Sequence, residues 1–78
     1  MRKKVLKVIV TFHTTSHAMA ADSRKLAYHL SGRLIPVPRQ LSAGCGLAWC
    51  EPVENKELLE NMLAAEYIEY EELCVMEL

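Results

Sequence analysis

Arg33-Leu34-Ile35-Pro36-Val37-Pro38-Arg39-Gln40-Leu41-Ser42-Ala43-Gly44-Cys45-Gly46-Leu47-Ala48-Trp49-Cys50 is the stretch on which the fold turns, since it holds two short apolar runs with no helix between them. The first, Arg33 to Val37, reads as a strand. Pro36 and Pro38 cannot donate backbone hydrogen bonds, which places that strand at the edge of a sheet. The second, from Leu47 to Cys50 and ending near Pro52, reads as the next strand.

Working outward gives the rest. Upstream, Leu6, Val8, Val10 and Phe12 alternate with Val5, Lys7, Ile9 and Thr11, the pattern of a strand with one clean apolar face. Thr14, Thr15 and Ser16 then offer hydroxyl caps. Met19, Leu26, Ala27 and Leu30 recur at helical spacing as far as Ser31-Gly32, so a helix is expected from about Ser16 to Ser31. Downstream, Glu54 to Ala65 reads as a second helix with Leu58, Leu59, Met62 and Leu63 on one face. The segment Ile68 to Leu78 reads as a fourth strand whose Glu71-Glu72 pair predicts a bulge or a late start. The order β-α-β-β-α-β in so short a chain predicts an α+β, ferredoxin-like sandwich: a four-stranded antiparallel sheet with two helices on one face. Strand four should then lie beside strand one.

The 78 residues suit a single domain spanning 1–78, too small to close off a deep pocket. The balance of 51% hydrophobic and 24% charged residues is that of a folded soluble domain. No apolar run is long enough to cross a bilayer, and Lys7 interrupts the stretch behind Met1-Arg2-Lys3-Lys4, so a cytoplasmic protein without a membrane partner is expected. Three cysteines suit reduced thiols in a reducing compartment better than a disulfide framework. Charge is uneven. Residues 1 to 39 carry eight Lys/Arg against Asp22 alone, and residues 40 to 78 carry nine Glu against Lys56 alone. The halves are expected to pair with each other, with Glu69, Glu71, Glu72 or Glu77 facing Lys3, Lys4 or Lys7, and the glutamates otherwise to form a solvated surface. No nucleic-acid partner is expected, since the whole chain is not basic and lacks a base-stacking platform.

The chemistry centres on Cys45. A free Cys is commonly a small buried hydrophobe. Gly44, Gly46 and the polar lead-in Gln40 to Ser42 favour instead a reactive, exposed thiol on a shaped loop, with N–H groups of the Ser42 to Gly46 backbone forming a nest for an anion. Arg39 would favour the thiolate if the loop folds back upon it. Cys50 follows five residues later, which is not the Cys-x-x-Cys spacing. As a strand residue it shares a face with Ala48, opposite Leu47 and Trp49, and Cys74 reads as packing. His13 and His17 straddle a strand-to-helix turn with no further ligand near in sequence, so neither a metal nor a cofactor is expected. Thr14 and Thr15, at a helix start, could hold an anion, although capping alone explains them.

Thr11-Phe12-His13-Thr14-Thr15-Ser16-His17-Ala18, Leu34-Ile35-Pro36-Val37-Pro38-Arg39, Leu41-Ser42 and Cys45-Gly46-Leu47 together resemble the small bacterial family of putative selenium/sulfur carrier-like proteins. The resemblance spans essentially the whole chain. It implies a cytoplasmic carrier in which Cys45 bears sulfur or selenium as a persulfide or selenopersulfide, with Gly46 shaping the loop and Arg39 nearby. Its partners would be donor and acceptor proteins, the donor of cysteine-desulfurase type. It transfers no role to Cys50. The alternative is a small non-enzymatic binding module in which the loop and the His13 to His17 turn dock a partner and Cys45 is a contact or ligand. A stand-alone thiol enzyme is disfavoured, because no general base stands beside the thiol in sequence. An exposed edge strand would also permit a homodimer.

Overall fold

The computed structural model describes residues 5–41 and 44–78. Along the chain run β1 (Leu6–Thr11), α1 (Thr15–Arg24) continuing as a 3₁₀ turn (Lys25–Tyr28), β2 (Arg33–Pro36), β3 (Leu47–Pro52), a 3₁₀ turn (Val53–Asn55), α2 (Lys56–Ala65) and β4 (Glu72–Glu77). The sheet is antiparallel throughout in the order β2-β3-β1-β4, which is the ferredoxin-like arrangement, with β4 beside β1 and the proline-bearing β2 at an edge.

Register assigns every strand residue to a face. Val10 pairs with Trp49 and with Leu73, and Val8 pairs with Glu51 and Val75. These positions look toward the helices, where Val8, Val10, Phe12 and Trp49 pack with Ala18 and Ala21 of α1 and with Leu59, Met62 and Leu63 of α2. The i, i+3, i+4 spacing of the α2 residues makes its apolar stripe. The opposite face carries Arg33, Cys50, Ile9 and Cys74 in one row across all four strands.

Four expectations need correction. First, α1 presents Ala18 and Ala21 to the core, not Met19, Leu26 and Ala27, which are exposed. The small alanines face the bulky Trp49, and the tighter 3₁₀ turn after Arg24 rotates Leu26 toward solvent. Second, this helix ends at His29 rather than at Ser31-Gly32. His29 takes the left-handed conformation (φ 60°), its N–H donates to the Leu26 carbonyl, and the Leu30 N–H reaches back to the Lys25 carbonyl at 2.9 Å. Tyr67 (φ 54°) closes α2 in the same way, with the Ile68 N–H on the Leu63 carbonyl at 3.0 Å. Both are Schellman closures without the usual glycine, and the next residue in each case, Leu30 or Ile68, is buried in the core.

Third, Lys7 stands opposite Met76 and Glu77 opposite Leu6, so strand pairing does not match Lys7 with a glutamate; Lys3 and Lys4 lie outside the described residues. The halves are instead joined by Arg24 to Glu66 at 3.2 Å and His13 to Glu71 at 3.5 Å. Fourth, the glutamates are not all a solvated surface. Glu51 is fully buried beneath the helices, where its carboxylate accepts the Ser31 and Gly32 N–H groups at 3.0 Å each, Trp49 Nε1–H at 2.8 Å and the Asn55 side-chain amide at 2.9 Å. A buried carboxylate persists only when so satisfied. It pins the start of β2 and the turn before α2 to β3. As expected, β4 starts late, at Glu72.

Candidate functional site

The loop joining β2 to β3 closes on itself at its base, where the Val37 N–H donates to the Gly46 carbonyl at 3.1 Å. Inside it the Leu41 N–H meets the Pro38 carbonyl at 3.0 Å, bending the chain through Arg39 and Gln40. Gly46 sits at φ 75°, a conformation costly for any residue with a Cβ. Gly44 is required for a different reason: a Cβ there would come within 2.8 Å of the His13 carbonyl oxygen. The two glycines therefore fix the loop's path on either side of Cys45.

The thiol is half-buried rather than exposed. Its S–H donates to the Leu47 carbonyl at 3.6 Å, and its side chain packs against the core beneath the helices. Arg39 is exposed in the turn and makes no ion pair among the described residues. Pro36 ends β2 opposite Leu47, and Pro38 begins the loop half-buried. Ser42 lies outside the described residues. The anticipated nest thus falls partly outside them too, and one of its N–H groups is engaged: Gly44 N–H donates to Glu71 Oε1 at 2.8 Å.

Glu71 is the residue that sequence reasoning missed as part of this site. The same Oε1 lies 3.5 Å from His13 Nδ1, and the Glu71 N–H donates to the Thr11 carbonyl at 2.7 Å. One carboxylate just before β4 therefore ties the Cys45 loop to the β1–α1 junction. Glu71 is 27 residues beyond Gly44, so no local signal marks the contact. The late start of β4 was the one hint, because it frees Glu71 from the ladder.

The remaining candidates have structural duties. Thr14 is the N-cap of α1; its hydroxyl accepts the His17 N–H at 3.3 Å and lies 2.9 Å from His17 Nδ1. Thr15 is the exposed first residue of that helix. His13 and His17 thus engage different partners. Among the described residues, no group of three or more His, Cys, Asp or Glu side chains is placed to hold a metal ion, and no helix is long and apolar enough to cross a membrane. Cys50 lies on the face of the sheet opposite Cys45, so the sheet itself stands between the two sulfurs. Burial pushes the Cys50 thiol up from its ordinary pKa, against the opposing pull of Lys7 and Arg33; burial also raises Cys74, with Glu72 adding to it.

The domain is ferredoxin-like and presents one glycine-framed thiol on the loop that joins β2 to β3 at the end of its sheet. The family model for putative Se/S carrier protein-like proteins matches residues 7–75, and the chain belongs to that family. No curated protein and no solved structure matches it significantly.

Proposed function

We propose that the protein carries sulfur or selenium on Cys45, taking the atom from a donor protein and passing it to an acceptor without turnover of its own. The observation that carries this reading is the glycine-framed Cys45 on a loop clamped by Glu71, which holds the thiol in a fixed position at a protein surface. Family membership supports a carrier role in general.

The loading step balances without an external oxidant. Cys45 gives up its proton, and with it the bond to the Leu47 carbonyl, and the thiolate attacks the terminal sulfur of a donor persulfide. The new Cys45 S–S bond forms as the donor's S–S bond breaks, and the donor cysteine leaves as a thiolate. Unloading repeats the exchange toward an acceptor thiol. Half-burial against the core shelters the loaded atom between the two events.

The test is incubation with a cysteine desulfurase and isotopically labelled cysteine, followed by mass spectrometry of the intact protein and its peptides. One labelled sulfur on the Cys45 peptide, absent in Cys45→Ser, is the expected result. No added sulfur on that peptide sinks the reading.

The His13–Glu71–Gly44 contacts also favour a second reading, because they bring the loop and the strand-to-helix turn to one end of the molecule as a continuous docking surface. In that binding module Cys45 would be one contact among several and not a nucleophile, so Cys45→Ser would still bind the partner, more weakly, while neither it nor the wild type acquires labelled sulfur.

A further inference from the structure

The face of the sheet away from the helices carries a second feature, separate from the loop. Lys7 on β1, Arg33 on β2 and Cys50 on β3 line one cleft of about 390 Å³, together with the apolar Ile35, Pro52 and Leu78. Register explains the convergence. Arg33 lies directly opposite Cys50, and Lys7, opposite Pro52, is its diagonal neighbour on the same face. Burial holds the Cys50 thiol above its ordinary pKa, and both cations pull against that rise. No acidic side chain lines the cleft, and neither Lys7 nor Arg33 forms an ion pair among the described residues. The neighbouring Glu51 faces the other side of the sheet, where four N–H donors occupy it.

Two cations and a thiol sharing a concave, partly apolar wall suit an anion with an organic body. The volume is that of a small-molecule site rather than of a lone oxyanion. We propose that this cleft binds a low-molecular-weight disulfide bearing carboxylates, and that Cys50 exchanges with it to form a mixed disulfide. Lys7 and Arg33 hold the carboxylates, and Ile35, Pro52 and Leu78 pack against the organic part. The Cys50 thiolate attacks one sulfur of the bound disulfide. A Cys50 S–S bond forms, the original S–S bond breaks, and the second half leaves as a thiolate; no further oxidant is required. The site would make the protein a target for thiolation by small acidic disulfides, independently of any atom carried on Cys45.

The experiment compares two disulfide probes, the dianion dithiobis(nitrobenzoate) and the neutral dithiodipyridine, on a Cys45→Ser/Cys74→Ser variant in which Cys50 alone reacts. Relative to a free peptide thiol, the anionic probe should be favoured over the neutral one by about tenfold. Lys7→Gln with Arg33→Gln should abolish that preference, slowing the neutral probe modestly because the Cys50 thiol loses two cations that favour its ionised form, and slowing the anionic probe by about tenfold more; about 1 M salt should erase the preference as the Debye length shrinks to about 3 Å. Peptide mapping of the wild-type chain after brief exposure to the anionic probe should find the label on Cys50, which covers the case of a poorly folded variant. A probe preference equal to that of the free peptide thiol, or one indifferent to the two glutamine substitutions, overturns the proposal. Because Cys45 is absent from the kinetic assay, its outcome and that of sulfur loading are independent.

Discussion

At the scale of single residues, the two carboxylates with the greatest consequence are Glu51 and Glu71, and neither announces itself by its neighbours. Glu51 sits in the glutamate-rich half of the chain and looks like one more surface charge. The signal that could have found it is parity, since alternation along β3 puts residue 51 on the same face as Leu47 and Trp49. Replacing Glu51 with Leu would leave the Ser31, Gly32, Trp49 and Asn55 donors without an acceptor, at a cost of about 3 kcal/mol. Urea unfolding should show the midpoint falling, with an unchanged slope. The placement of Cys45 on a loop between Gly44 and Gly46 was legible. Its half-burial was not, because that depends on the Leu47 carbonyl and a core assembled from distant segments.

At the scale of elements, the order of strands and helices was readable, because strand alternation, the α2 stripe and the Pro36 and Pro38 edge signal are all local. Helix ends were less readable. Both helices stop on a left-handed residue that is not glycine, His29 or Tyr67, and buried Leu30 and Ile68 hold those closures in place. Tertiary packing here outweighs the intrinsic preference of the residue at the closure. The strain remains, however, and at Tyr67 it can be relieved without losing packing, because that side chain is 90% exposed. Tyr67→Gly should raise stability by about 0.5–1 kcal/mol, the relief of left-handed strain exceeding the added freedom of glycine in the unfolded chain. Thermal unfolding followed by circular dichroism measures it.

At the scale of the whole molecule, the titrating groups with shifted pKa values act in one direction. Cys50 and Cys74 are raised chiefly by burial, and Tyr28 chiefly by its hydrogen bond to Glu66. Each holds its proton more firmly folded than unfolded. Their contribution is complete while both states are protonated; as pH climbs past the ordinary thiol value the unfolded chain ionises first, and the contribution declines until the folded groups ionise too. Stability should therefore fall above about pH 9, and Cys50→Ser with Cys74→Ser should flatten that alkaline decline in denaturation curves taken across pH. The placement of the three sulfurs has another consequence. Ile9 sits between Cys50 and Cys74, holding their strands two spacings, or about 9.5 Å, apart, and the sheet separates Cys45 from Cys50. Neither separation can be bridged by a disulfide without moving backbone. For those two pairs the fold is a redox insulator: an oxidised Cys50 must find its partner outside its own chain, so mild oxidation should yield disulfide-linked dimers on non-reducing gels and no Cys45–Cys50 or Cys50–Cys74 crosslink within a monomer.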